Sequence, residues 1–145
     1  MIRDDFLLRQ VRLLAALLAR LLGRATPAEQ AEAESECAGL VGLDLDVAGA
    51  LPPDTLLALL RTADGLDAER CLALGLGLAF RAVRLAGAGP GAAPDPATAR
   101  LAAARLATTA GTLIATALAA RPALDNPDVQ AVLAALAAHT GTPAH

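Results

Sequence analysis

Apolar positions along this chain fall into stretches at helical spacing, separated by clusters of Gly, Pro and Asp. In the first stretch Asp5, Arg9, Arg12, Ala16 and Arg20 recur every three or four residues, while nearly everything else from Asp4 to Leu22 is apolar. Residues three and four apart share a helix face, so the pattern predicts a helix over 4–22 with one polar stripe and an apolar arc of more than half its circumference. A helix that apolar is expected at the centre of the fold or in a dimer interface. Gln10 falls inside the arc and is expected to need a buried partner. Gly23 is a good stop.

The second helix, over 27–41, opens with Thr26-Pro27-Ala28-Glu29, which reads as an N-cap, a first-turn proline and a capping box. Ala33, Cys37, Leu40 and Val41 form its apolar face. Glu29, Glu32, Glu34 and Glu36 read as a solvated face, because a carboxylate metal site in a bundle wants a Glu-x-x-His partner that the chain lacks. Residues 42–51 read as a connector. Asp44-x-Asp46 with Gly49 starts like a calcium loop, but Ala48 at its fifth position offers no oxygen ligand and Thr55 at its twelfth no bidentate carboxylate.

A third helix over 53–62 enters through Pro52-Pro53-Asp54, and Asp64-Gly65 marks a turn. A fourth over 67–86 is capped by Asp67. Its Leu72, Leu74, Leu76 and Leu78 alternate with small residues as a strand would, but Leu and Ala without β-branching favour helix. Gly75 and Gly77 each cost about 1 kcal/mol in a helix, so something is expected to pack closely against them. Gly75-x-Gly77 lacks both the third glycine and the preceding strand of a dinucleotide fingerprint. Residues 87–96 form a Gly/Pro loop. The fifth helix, over 96–120, starts at Asp95-Pro96 and carries Ala103, Ala107, Gly111, Ala115 and Ala119 as a smooth strip, with Leu106, Leu113 and Leu118 in the core. The sixth, over 127–139, enters through Asn126-Pro127 and turns Val129, Val132, Leu133 and Leu136 inward; His139 reads as a tail residue. These elements predict one all-α domain over 1–145, a compact bundle of about six helices.

Composition sharpens this into exclusions. Hydrophobic residues make up 55% of the chain, nearly all Leu and Ala, and the only aromatics are Phe6 and Phe80. There is no Lys, which removes Schiff-base chemistry and the P-loop lysine. Ser35 is the only Ser, and His139 and His145 are the only His, so no catalytic constellation is legible. Cys37 and Cys71 lack metal spacing and read as two buried thiols behaving as small hydrophobes. No metal or cofactor is expected.

The net charge of −3 is uneven: residues 25–69 hold ten acids against Arg61 alone, whereas both flanking segments are rich in Arg. Without a basic excess or stacking aromatics, no nucleic acid partner is expected. Two runs invite a membrane reading. From Phe6 to Leu22, eight Leu, one Phe and one Val contribute about −5 kcal/mol on an insertion scale, against up to about +3 for each of Arg9, Arg12 and Arg20. The charge-free run Leu106 to Ala120 is short for a span and carries Thr108, Thr109, Thr112 and Thr116. Asp4 and Asp5 do not suit the start of a signal peptide. The expectation is a soluble cytoplasmic protein with no transmembrane segment.

Asp5-Phe6-Leu7-Leu8-Arg9-Gln10-Val11, Leu43-Asp44-Leu45-Asp46, and Leu56-Leu57-Ala58-Leu59-Leu60-Arg61 leading to Asp64-Gly65-Leu66-Asp67 together resemble an uncharacterised family of small bacterial proteins described only as a domain of unknown function. The resemblance covers most of the chain and is most specific over 4–12 and 43–70. It implies that the last two long helices form a tetratricopeptide-like hairpin, with Ala110, Ile114, Ala117 and Pro122 matching its second half; the first half departs, lacking Trp and Tyr. It implies no activity. The expected role is a non-catalytic protein-interaction or scaffold module, bound to itself as a homodimer or to another protein, with Asp5, Arg9 and Arg12 as a candidate surface patch. The alternatives are a peripheral membrane-surface protein acting through the first helix, and an enzyme using Asp, Glu and Arg only.

Overall fold

The helices begin where the cap residues stand. The computed structural model describes residues 2–22, 26–86 and 96–140, leaving aside the side chains of 2–5, 96, 139 and 140. The expectations for Gly23, for the loop at 87–96, for the Asp95 cap and for the side chains of Asp5, His139 and His145 lie outside the described residues. Helix α1 spans Ile2–Leu21, α2 Pro27–Val41, α3 Leu45–Gly49, α4 Pro53–Leu59, α5 Ala68–Ala86, α6 Pro96–Ala120 and α7 Pro127–Thr140. Thr26 Oγ1 accepts from the Glu29 N–H at 3.2 Å while the Thr26 N–H donates to Glu29 Oε1 at 3.0 Å, closing the capping box. Hydrogen bonding to the Thr26 backbone N–H, then to the Thr26 side chain, holds the Glu29 carboxyl below its ordinary pKa. Asp67 accepts from the Arg70 N–H at the start of α5, and Asn126 from the Val129 N–H at the start of α7.

The protein is all-α, and three details differ from the sequence expectation. The connector at 42–51 contains α3, because Asp44 Oδ1 accepts from the Asp46 N–H at 2.7 Å and so caps a turn of helix. The described residues therefore hold seven α-helices rather than about six. The third predicted helix stops at Leu59 instead of 62, since Arg61–Thr62 (β1) pairs antiparallel with Gly65–Leu66 (β2). Gly65, at φ 111, takes a backbone conformation that a side chain would strain, and it sets that short hairpin.

The centre of the fold is α5, not α1. Every residue from Cys71 to Phe80 is buried. The apparent strand-like alternation explains how. In a helix, a step of two residues turns about 200°, so Leu72 and Leu76 lie opposite Leu74 and Leu78, and the small residues occupy the two faces between. One small face, Ala73 and Gly77, meets α2. The other, Cys71 and Gly75, meets α6. A Cβ on Gly75 would lie 2.7 Å from Ile114 Cγ1 and 3.2 Å from the Ala110 carbonyl oxygen, and one on Gly77 would overlap Cys37 Sγ. Because neither glycine has a side chain, the α6 backbone at Gly75 and the Cys37 side chain at Gly77 approach closely, as the glycines suggested.

Helix α1 lies on the side of this centre, packed on α5, α7 and α2. Val11, Leu14, Ala15, Leu18 and Leu21 are buried, but Phe6 is 55% and Leu13 58% exposed. Its polar stripe faces water, since Arg9, Arg12, Ala16 and Arg20 are all exposed. Gln10 is half-buried beside a groove rather than enclosed. The smooth strip of α6 is buried at Ala103 and Ala107 but exposed at Ala115 and Ala119, since a four-residue repeat drifts around a helix of 3.6 residues per turn. The face of α6 that meets α5 instead runs through Leu106, Ala110, Leu113, Ile114 and Ala117, all buried. Thr108, Thr112 and Thr116 turn their hydroxyls back onto the carbonyls four residues earlier. By length and composition Ala97–Ala120 is the one described helix that could cross a membrane, with 39% of its most apolar stretch buried. Here it is the principal packing partner of α5.

Candidate interaction surface

Two ion-pair groups join helices that lie far apart in the chain, Arg70 of α5 also donates from Nε to the Leu40 carbonyl of α2 at 3.2 Å, and open hollows remain at the surface. The larger group joins α5 to α2 and α3. Arg81 donates from Nε to Glu34 Oε1 at 3.1 Å, from Nη2 to the same oxygen at 2.5 Å, and from Nη1 to Asp46 Oδ1 at 2.6 Å. Arg84 Nη2 stands 2.7 Å from Glu34 Oε2. Burial pulls the Arg81 guanidinium down, but the hydrogen bonds and charges of Glu34 and Asp46 outweigh it and hold its pKa above the ordinary value. Glu34 is therefore not part of a solvated face: its side chain is only 13% exposed, and it bridges two arginines. The second group is Glu69 at the start of α5 with Arg121 beyond the end of α6. Acids of the negative middle segment thus meet arginines from the segment that follows it, across helix contacts rather than along the chain.

Each cluster is balanced in charge, two carboxylates against two arginines in the first and one against one in the second, although Glu34 Oε2 and Arg84 Nε are buried without a hydrogen bond. Among the described residues no group of three or more His, Cys, Asp and Glu is placed to hold a metal ion. Cys37 and Cys71 are free and buried, and each thiol donates to a carbonyl, that of Ala73 at 3.1 Å and that of Leu113 at 3.2 Å. Burial first, then the nearby carboxylates Glu34 and Asp67, push both thiols up to about 12. They act as small hydrophobes with a weak donor, as the sequence suggested.

One open hollow is a groove of about 440 Å³ between α1 and α2, lined by Leu14, Leu40, Phe6, Leu13 and Glu36 among others. Phe6 and Leu13 stand two turns apart on the α1 lip with Arg9 between them, at helical neighbour spacing from both. On the α2 side exposed Glu36 lines the groove, with exposed Glu32 one turn before it on the same helix. Comparison of the chain with family models, with curated proteins and with solved structures finds no match. The site is therefore read from geometry alone.

Of the candidate patch, Arg9 and Arg12 are exposed, and neither makes an ion pair with a described residue. Arg9 is not part of the groove lining but stands one helical turn from both Phe6 and Leu13, and Arg12 lies about a sixth of a turn farther round. Periodicity puts Phe6 and Leu13 in the apolar arc, expected at the centre of the fold or in a dimer interface, and Glu36 in a solvated face, so it does not bring the three together. The available signal was Phe6 itself, one of only two aromatics, next to Arg9 on the same face.

Proposed function

We propose that the protein is a non-catalytic protein-interaction module whose contact surface is the α1–α2 face. The observation that carries this reading is the exposure of Phe6 and Leu13, each more than half accessible, beside an apolar groove. Large apolar side chains grouped around a hollow mark a contact site more often than isolated ones do. An aromatic and an aliphatic anchor beside a groove is the arrangement through which interfaces concentrate their binding energy. The same reading keeps the protein in the bacterial cytoplasm and treats the α5–α6 pair, with its tetratricopeptide-like second helix, as the rigid support for that face.

The test compares wild type with Leu13→Arg and Arg12→Ala, by light scattering of the purified protein and by capture from cell extract. Association with itself or with another protein should be lost in Leu13→Arg and kept in Arg12→Ala, with helicity equal in all three. Association that ignores Leu13 would remove this surface from the proposal. Flotation with anionic liposomes that depends on Phe6 and Leu13 would replace it with the membrane-surface reading.

A further inference from the structure

We infer that the partner of the α1–α2 face is a second copy of the same chain, bound about a two-fold axis through the groove. This inference rests on the interaction-module reading and names its occupant. A two-fold interface uses one patch twice, so the patch must be complementary to itself. This one is. Phe6, Leu13 and Glu36 line the groove, and Arg9 on α1 and Glu32 on α2 stand one helical turn from them, all five exposed. A two-fold rotation about the groove lays the α1 lip of one copy over the α2 lip of the other. Phe6 and Leu13 then enter the partner's groove, Arg9 faces the partner's Glu36, and the same contacts recur on the other side of the axis.

The charges on these lips are unspent within one chain. Arg70, Arg81, Arg84 and Arg121 each hold a carboxylate, whereas no ion pair among the described residues involves Arg9, Glu32 or Glu36. The acidic lip also argues against the other occupants. Glu32 and Glu36 would repel an anionic bilayer or a phosphate backbone brought against Arg9. A different protein would have to present apolar anchors flanked by one basic and one acidic row, which a second copy already does.

Sedimentation or light scattering over a concentration series tests this with exchanged charges. Wild type should be a dimer. Arg9→Glu and Glu36→Arg should each place two like-charged pairs across the axis, each worth about a tenfold loss, and so weaken the dimer about a hundredfold. Both positions are exposed, so circular dichroism should show unchanged helix. Mixing the two weakened variants should restore association. In the mixed pair the introduced glutamate meets the introduced arginine on one side of the axis, and the native Arg9 meets the native Glu36 on the other. Arg12→Glu should leave the dimer intact. A wild type that stays monomeric throughout the series overturns the inference, and so does a dimer unaffected by these substitutions or not restored by mixing. If wild type is monomeric yet captures another protein in a Leu13-dependent way, the dimer falls and the interaction module stands.

Discussion

Gly75 lets one side of α5 meet the backbone of α6, and Gly77 lets the opposite side meet the Cys37 side chain of α2. A Cβ at position 75 would meet the α6 backbone itself at 3.2 Å, which cannot move aside as a side-chain tip can. Gly75→Ala should therefore destabilise by about 1–3 kcal/mol despite the better helix propensity of Ala. Gly111, also in a helix, has nothing within 4 Å of its added Cβ, so Gly111→Ala should stabilise by about 0.5–1 kcal/mol. Urea denaturation of the two variants measures both, and a stabilised Gly75→Ala would refute the close approach of α5 and α6.

The two thiols make a second prediction. Their pKa is raised on folding from 9.0 to about 12, so folding favours the protonated form. The stability this protects is fully present below pH 9 and is lost as pH rises from there toward 12. Removing both thiols, Cys37→Ala with Cys71→Ala, should flatten that alkaline slope. A thiol reagent should modify wild type only as fast as it unfolds, and the melting temperature should not respond to reductant. A reductant-sensitive melt would reveal a disulfide, contrary to the two free cysteines.

At the scale of elements, Glu34 is the carboxylate that joins α2 to α5. Arg81 is only 17% and Glu34 13% exposed, so Glu34→Ala would strand guanidinium charge in a largely dry contact. Breaking one partner of such a pair costs about 3–5 kcal/mol, and the loss should fall near the lower end because Arg81 keeps Asp46 and Arg84 reaches water. Asp46 is 82% exposed, so Asp46→Ala should cost less than about 1 kcal/mol although it bonds the same arginine. Thermal melts of the two variants check the ranking, and an equal loss in both would show that burial does not set the strength of this network. Helical spacing on α2 identified an acidic run but not which member was buried. That depended on where Arg81 and Arg84 of a distant helix came to lie.

Across the whole molecule, buried residues of all seven described helices form one continuous core around α5. The expected outcome is a predominantly helical circular dichroism spectrum with a single cooperative melt. Leu76, fully buried in α5, tests this cooperativity: Leu76→Ala should shift the entire transition by about 2–5 kcal/mol, without splitting it. Two separated transitions would mean that the α1–α2 pair unfolds independently of the rest. The open groove and the continuous core are compatible because the buried side of α1 suffices to attach it, leaving Phe6 and Leu13 over the edge.

Helix type, most boundaries, the caps at Thr26 and Asp67 and the helix entry at Asn126-Pro127 were legible in the residues, because capping bonds and the period of an amphipathic helix involve neighbours within one turn. So were the close packing at Gly75 and Gly77 and the exposed stripe of α1. The rank order of the helices was not legible: α1 and α5 are both apolar round most of their circumference, and only the packing of α2, α6, α1 and α7 decides that α5 is surrounded. The exposure of Phe6 and Leu13 follows from that choice, since α1 has more apolar surface than one side of α5 can cover. The pairing of Glu34 with Arg81 and Arg84 also lay beyond local reading, since it joins side chains about fifty residues apart through a contact that exists only once the helices have met.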